Sequence, residues 1–226
     1  MIGSKISWKY LFIFVFVNAI SRIALAQSKT GATVVIGRQE WMTENLDVDH
    51  YLDGSPIQEA KTAAEWKACN QNRIGCYCNY DNEACYGSMY GKLYNWYAVR
   101  KGIAPHCWRI ASRADFDKLI TNIGTEQAGK KLKAKHSWSN DWNGNNLSGF
   151  AGLASGCRNP TGTFSYVGKE SFWWTCDARK TADDRGTGLS FFVNSDDKFD
   201  FQITEDYGYS VRCVRDKGEP APEPCP

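Results

Sequence analysis

Four of the nine cysteines fall in one short stretch, CNQNRIGCYCNYDNEAC, at Cys69, Cys76, Cys78 and Cys85. Thiols at that density ligate a metal, carry redox chemistry or staple a loop. Zinc fingers set about two to four residues between paired cysteines, whereas a single residue separates Cys76 from Cys78. The histidines, His50, His106 and His136, are scattered outside the stretch. Whether the cysteines pair with one another depends on the compartment, and the N-terminus speaks to that.

The chain opens MIGSKISWKYLFIFVFVNAISRIALAQ. Lys5 and Lys9 give a basic start, Leu11–Val17 is an unbroken apolar run, and Ala24-Leu25-Ala26 is the small-x-small pattern that a signal peptidase accepts. The apolar run is well short of the ~20 residues that span a bilayer. Residues 1–26 are therefore expected to be a signal peptide, leaving no membrane span after cleavage. The expected location is periplasmic, cell-surface or secreted. An exported chain meets oxidising conditions in which cysteines pair, so the cysteine stretch is read as a stapled loop.

Removing the leader takes the net charge from +2 to about −1. A balance so near neutral gives no electrostatic case for nucleic acid or an anionic membrane as a partner. Catalysis needs a nucleophile with a base in reach, and the three histidines show no such partnering in sequence. Two acidic groups invite calcium: Asp47, Asp49 and Asp53 in DVDHYLDG, and Asp196 with Asp197 in NSDDKFD. Neither has the alternate-position ligands and distal Glu of an EF-hand loop, so no cofactor is expected, with calcium at Asp196 and Asp197 the alternative. In WSNDWNGNN, Trp138 and Trp142 sit among Asn and Asp, including Asn143 and Asn145. Exposed indoles stack on sugar faces or anchor protein interfaces, and amides hydrogen-bond to hydroxyls. These four residues are the candidate ligand site.

The elements that must position these groups follow from pattern. ATVVIG (32–37) reads as a strand closed by Gly37, EAKTAAEWKAC (59–69) as a helix, and YGKLYNWYAVR (90–100) as a helix with Leu93, Trp96 and Tyr97 on one face. CWRIA reads as a brief strand. Ser112 then opens a capping box with Asp115, followed by Phe116, Leu119, Ile120 and Ile123 at helical spacing and a stop at Gly124. Beyond Lys135, turn formers dominate, and SFWWTC, LSFFV, KFDFQI and YSVRCVR read as four short strands. Helices first and a late, mainly antiparallel sheet indicate an α+β fold in one domain. The tail, residues 217–226, alternates proline with small and acidic residues, reads as extended, and carries Cys225.

Five segments in order resemble the Fibrobacter succinogenes major paralogous domain, a family of exported bacterial domains. They are IGRQEWMTENLDVDHYLDGSPI, CNYDNEACYGSMYGKLYNWYAVR, GIAPHCWRIASRADFDKL, GCRNPTGTFSYVGKESFWWTC and YGYSVRCVRD. The likeness covers residues 33–216, leaving 27–32 as a lead-in. That family is distantly similar to the C-type-lectin-like fold of the formylglycine-generating enzymes, which implies a single lectin-like, disulfide-stapled domain. Cys78 and Cys213 stand where simpler members keep two cysteines, so the resemblance implies a bridge between them. Cys107, Cys157 and Cys176 replace residues that the family usually has as glycine, an aromatic and serine. Two such intrusions flanking one hairpin-like stretch imply a Cys157–Cys176 pair. Cys69, Cys76, Cys85 and Cys107 would supply further bridges in an order left open.

The expected function is a non-catalytic binding or surface-interaction domain whose partner is a glycan or a surface protein. The alternatives are a structural component of an envelope or extracellular assembly, with Cys225 bridging chains, and an enzyme related to the formylglycine generators.

Overall fold

The β-branched run forms β1 (Thr33–Ile36), and Gly37, at φ +62°, supplies the left-handed turn into β2 (Gln39–Met42). The two pair antiparallel, Thr33 opposite Met42 and Ile36 opposite Gln39. The computed structural model describes residues 31–139, 141–179, 187–193, 199–204 and 206–217. Residues 1–30, which include the segment expected to be a leader, the tail beyond Lys217 with Cys225, and the calcium candidates Asp196 and Asp197 lie outside the described residues.

Local chemistry sets the boundaries in the first half. β3 (Gln58–Glu59) takes the residues expected to start a helix, pairing parallel with β4 (Cys76–Cys78). The helix, α1 (Ala63–Gln71), begins instead at a capping box: Thr62 Oγ1 accepts from the Glu65 amide, and Glu65 Oε2 accepts from the Thr62 amide. The single helix expected over 90–100 is replaced by three elements. α2 (Ala84–Tyr90) stops at Gly91, whose φ of +76° is left-handed. β5 (Leu93–Tyr94) then pairs antiparallel with β4, and α3 (Trp96–Lys101) starts where Asn95 Oδ1 caps the Ala98 amide at 3.0 Å. A glycine terminator and an Asn cap four residues apart in sequence override the helical spacing of the apolar residues.

β6 (Arg109–Ile110) and α4 (Arg113–Ile123) follow the sequence reading, with the Ser112–Asp115 capping box formed and Gly124 ending the helix at φ +77°. Phe116, Leu119 and Ile120 are buried. A short α5 (Ala128–Leu132) comes next.

The second half supplies β7 (Ser155–Arg158), β8 (Phe164–Val167), β9 (Ser171–Arg179), β10 (Thr187–Val193), β11 (Phe199–Thr204), β12 (Ser210–Val211) and β13 (Cys213–Asp216). The larger sheet runs β11-β10-β9-β7-β8, with β12 also on β9. β11-β10-β9 and β7–β8 are antiparallel, but β7 and β12 both run parallel to β9, so the sheet is mixed. A second sheet, β1-β2-β13-β6, seats the last strand between β2 and β6 and brings the two ends of the fold together. The architecture is α+β.

β9 divides the core. Successive strand residues point to opposite faces, and Trp173 and Trp174 do so. Trp173 packs with Trp41, Phe116, Leu132, Trp138 and Phe150. Trp174 packs with Trp96, Tyr94, Tyr209 and Cys213. Each indole N–H is satisfied, Trp173 Nε1 by Asn45 Oδ1 at 2.8 Å and Trp174 Nε1 by the Tyr94 carbonyl at 2.7 Å. A third, smaller core gathers Ala60, Trp66, Cys69, Cys76, Cys78, Tyr80 and Leu93.

Candidate functional site

The Asn-rich segment after Lys135 wraps back over α5. Gly144 N donates to the Ala134 carbonyl at 2.8 Å, Asn145 N to Lys130 at 3.0 Å, Asn146 N to Lys133 at 3.2 Å, and Ser148 N to Lys131 at 3.2 Å. The approach is so close at Gly144 that a Cβ would lie 2.1 Å from the Lys133 carbonyl oxygen. The density of turn formers is explained by this: amides and small residues tie the loop to the open carbonyl end of a short helix.

Within the loop the two tryptophans have opposite fates. Trp138 is buried, its Nε1 donating to the Gly152 carbonyl at 3.0 Å and its backbone N–H to Asn143 Oδ1 at 3.1 Å. It belongs to the core beside Trp173, which corrects the expectation that it faces a ligand. The polar residues around it serve the loop's own backbone. Trp142 is 48% exposed, alone in this among the described tryptophans, the other seven of which are at most 5% exposed. Asn143 is exposed and Asn145 half-buried, its Oδ1 accepting from the Leu147 amide at 3.1 Å. Ser139 N donates to the Gly168 carbonyl at 2.7 Å, which docks the loop on the turn after β8. Two residues earlier, within β8, Tyr166 is 50% exposed and at a left-handed φ of +69°. An aromatic in that region is uncommon and is held there by its surroundings. Trp142 and Leu147 are thus exposed apolar points on the pinned loop, of which the sequence reading located Trp142, while the Tyr166 ring packs against Phe172 with ring centres 6.1 Å apart.

No disulfide is formed among the eight described cysteines. Cys69 and Cys76 come within 3.4 Å of each other. Cys78 sits with them in the third core, whereas Cys213 lies in the core around Trp174, so the implied bridge between those two is not formed. Cys157 and Cys176 are not joined either. β7 runs parallel to β9 with Gly156 opposite Ser171, which puts Cys157 level with Phe172. Cys176 is four residues further along the strand, or about 13 Å at ~3.3 Å per residue, beyond the reach of a disulfide. Burial pushes the Cys78 thiol up to about 12 against the pull of the Arg158 guanidinium, and burial likewise pushes Cys157 up to about 12. Cys85 and Cys107 are exposed, and Cys107 Sγ lies 2.8 Å from His106 Nδ1.

The acidic loop near the N-terminus does not converge. Asp47 pairs with Lys92, Asp49 with His50, and Asp53 caps the Ser55 turn. Among the described residues no group of His, Cys, Asp and Glu is placed to hold a metal ion.

Sequence reasoning missed the buried polar groups that tie the interior together. Arg158 is 1% exposed, its Nη1 donating to the Ala60 carbonyl at 2.7 Å and its guanidinium lying between Trp66 and Phe164. Arg212 is fully buried, and Asn45, Asn70 and Asn95 are nearly so. Alternation in YSVRCVR already puts Arg212 on the same strand face as Ser210, and the WYAVRK helix needs a cap at Asn95. Both signals are present in the sequence.

No helix among the described residues is long and apolar enough to cross a membrane. No curated protein and no solved structure gives a significant match. Residues 34–215 match the Fibrobacter succinogenes major domain, in agreement with the resemblance read from the five segments. The protein belongs to the Fibrobacter succinogenes major domain family.

Proposed function

We propose that the protein is an exported, non-catalytic binding domain that docks a glycan on the surface around Trp142. The observation carrying this reading is an indole nearly half exposed on a loop whose backbone is pinned to α5 and to the Gly168 turn. Burying an exposed aromatic is a large apolar gain, and a loop already fixed loses little entropy on binding. Beside it the Asp141 carboxylate offers acceptors for sugar hydroxyls, and the Asn143 and Asn145 side chains, whose oxygens are held by the loop's own amides, offer their NH2 groups as donors. Polar groups around one rigid aromatic suit a hydroxylated ligand better than an apolar protein patch. We also read the fold as C-type-lectin-like. Support for that comes from the last strand lying between β2 and β6 and from a long loop-bearing segment between them.

Trp142 makes the test selective. Seven of the other tryptophans are buried, so acrylamide quenching in the folded protein reports chiefly on this one. A panel of polysaccharides and envelope glycan fragments should include a ligand that protects Trp142 from quencher in a saturable way, and Trp142→Ala should weaken retention of that ligand. A panel without a protecting ligand, or an alanine variant that binds as well as wild type, refutes the reading.

A further inference from the structure

We propose that Cys69 and Cys76 close a disulfide in the oxidised protein, joining the last turn of α1 to the first residue of β4. The two side chains lie 3.4 Å apart, both at most 1% exposed, in the core beneath Trp66.

The chain between them is shaped for this contact. Arg73 takes a left-handed φ of +57°, and Ile74 N donates back to the Cys69 carbonyl at 2.8 Å, reversing the chain within a few residues. Asn95 clamps the return: its Oδ1 accepts from the Cys76 amide at 2.9 Å, and its Nδ2 donates to the Ile74 carbonyl at 2.8 Å and to Asn70 Oδ1 at 2.9 Å. Asn70 in turn donates to the Asp206 carbonyl at 3.0 Å. In the folded chain both backbone ends of the bridge are therefore held in place independently of any bond between the sulfurs. Cys78 shares the strand face of Cys76, but its thiol is turned to the guanidinium of Arg158, and Cys85 is exposed on α2. The hydrogen bond from the Cys76 thiol lowers the pKa of Cys69 and raises that of Cys76, so negative charge settles on Cys69. Either thiolate can open the exchange, and the step is written from Cys69.

The oxidant is a small-molecule disulfide. Cys69 thiolate attacks one of its sulfurs, forming a mixed disulfide and expelling one thiolate, which takes up a proton. Cys76, giving up its proton, attacks the Cys69 sulfur and expels the second thiolate. Two protein thiols are oxidised and one disulfide is reduced to two thiols. Because both sulfurs are buried, exchange takes place while α1 is still open against β4.

Trypsin separates the partners by cutting after Lys67 and Arg73. Fragment 68–73 carries Cys69 alone, and fragment 74–92 carries Cys76, Cys78 and Cys85. The full chain is refolded in a glutathione redox buffer, alkylated in denaturant without reduction, digested and mapped. The expected result is loss of alkylated 68–73 and its recovery joined to 74–92, with fragmentation placing the bond at Cys76. Recovery of 68–73 in alkylated form, or joined through Cys78, Cys85 or another cysteine, overturns the proposal. In Cys76→Ser, fragment 68–73 should return alkylated. Should that variant not fold, the wild-type map decides alone.

Discussion

The side-chain oxygen of Asn45 accepts hydrogen bonds from two nitrogens of Arg212, Nη2 at 2.9 Å and Nε at 3.2 Å. Arg212 Nη1 donates to the carbonyls of Met42 and Phe150, at 2.9 and 2.6 Å, and its guanidinium lies 4.3 Å from the Phe150 ring centre. Asn45 also takes the Trp173 indole N–H and donates to the Tyr90 carbonyl at 2.8 Å. Burial lowers the pKa of Arg212 to about 9, still charged at neutral pH. A cation is thus dissolved in neutral oxygens and aromatic faces at the junction of β12 and β13.

Arg212→Lys should therefore be costly although charge is conserved. An ammonium cannot reproduce the planar fork, and carbonyls left bare in the interior cost about 1–3 kcal/mol each. A loss of about 3 kcal/mol is expected by denaturant unfolding at neutral pH. A change under about 0.5 kcal/mol, the range of an ordinary surface substitution, would show that the fork is dispensable.

Asp115 joins α4 to both ends of the fold. Its carboxylate accepts from Arg109, from Gln39 Nε2 at 2.6 Å, and from the Ser112 amide and hydroxyl, each at 2.7 Å, while Arg109 also reaches Asp216 at 2.8 Å. Burial pulls its pKa upward, but the Arg109 and Ser112 hydrogen bonds outweigh that and the net shift is down. As pH falls below about 4, the unfolded chain therefore takes the proton first, and stability is lost as pH drops through the folded-state pKa. Asp115→Asn should cost about 3 kcal/mol at pH 7, because the partly buried guanidinium keeps Asp216 alone as its counter-charge, and its stability should fall less steeply in acid than that of wild type. Parallel acid slopes would contradict the assignment.

The two loop tryptophans should separate cleanly. Trp138→Ala removes a buried indole and should cost about 3–5 kcal/mol, whereas Trp142→Ala should stay within about 0.5 kcal/mol of wild type. Thermal melts of the pair decide this, and equal losses would mean that Trp142 is also structural.

Asn95→Ala strips the α3 cap and leaves the Cys76 amide and Ile74 carbonyl without their side-chain partner. The cap alone is worth about 1 kcal/mol and each buried orphan about 1–3 kcal/mol, so a loss of at least about 2 kcal/mol is expected in denaturant unfolding. Asn95→Asp keeps the acceptor oxygen for Cys76 and Ala98 but not the donor, and should fall between.

What could be read from sequence was what local chemistry decides. The Ser112–Asp115 box and the spacing of Phe116, Leu119 and Ile120 specify α4 without reference to the rest of the chain. Gly91 and Asn95 were equally local, yet the apolar spacing across them was given more weight than a terminator and a cap. Trp138 could not be placed because polar neighbours were taken to mean exposure, when Asn143 and Asn145 spend their side chains on the loop's own amides. Cysteine pairing is non-local. That Cys78 belongs to the third core and Cys213 to the core around Trp174, and that Cys157 sits about four residues out of register with Cys176 on β9, follows from how the sheets are arranged. The family likeness identified the chain correctly but could not convey that arrangement.

The most direct test of the central claim is the affinity of the Trp142 surface for a glycan, measured by calorimetric titration of wild type and variant, with quencher protection as a second readout in wild type. Wild type should show saturable protection of Trp142 from quencher by a glycan found in the panel. Trp142→Ala should bind that glycan at least about tenfold more weakly, a loss of ~1.4 kcal/mol, with its melting temperature unchanged. Equal affinity in the two proteins, or no saturable protection by any glycan, would contradict the account.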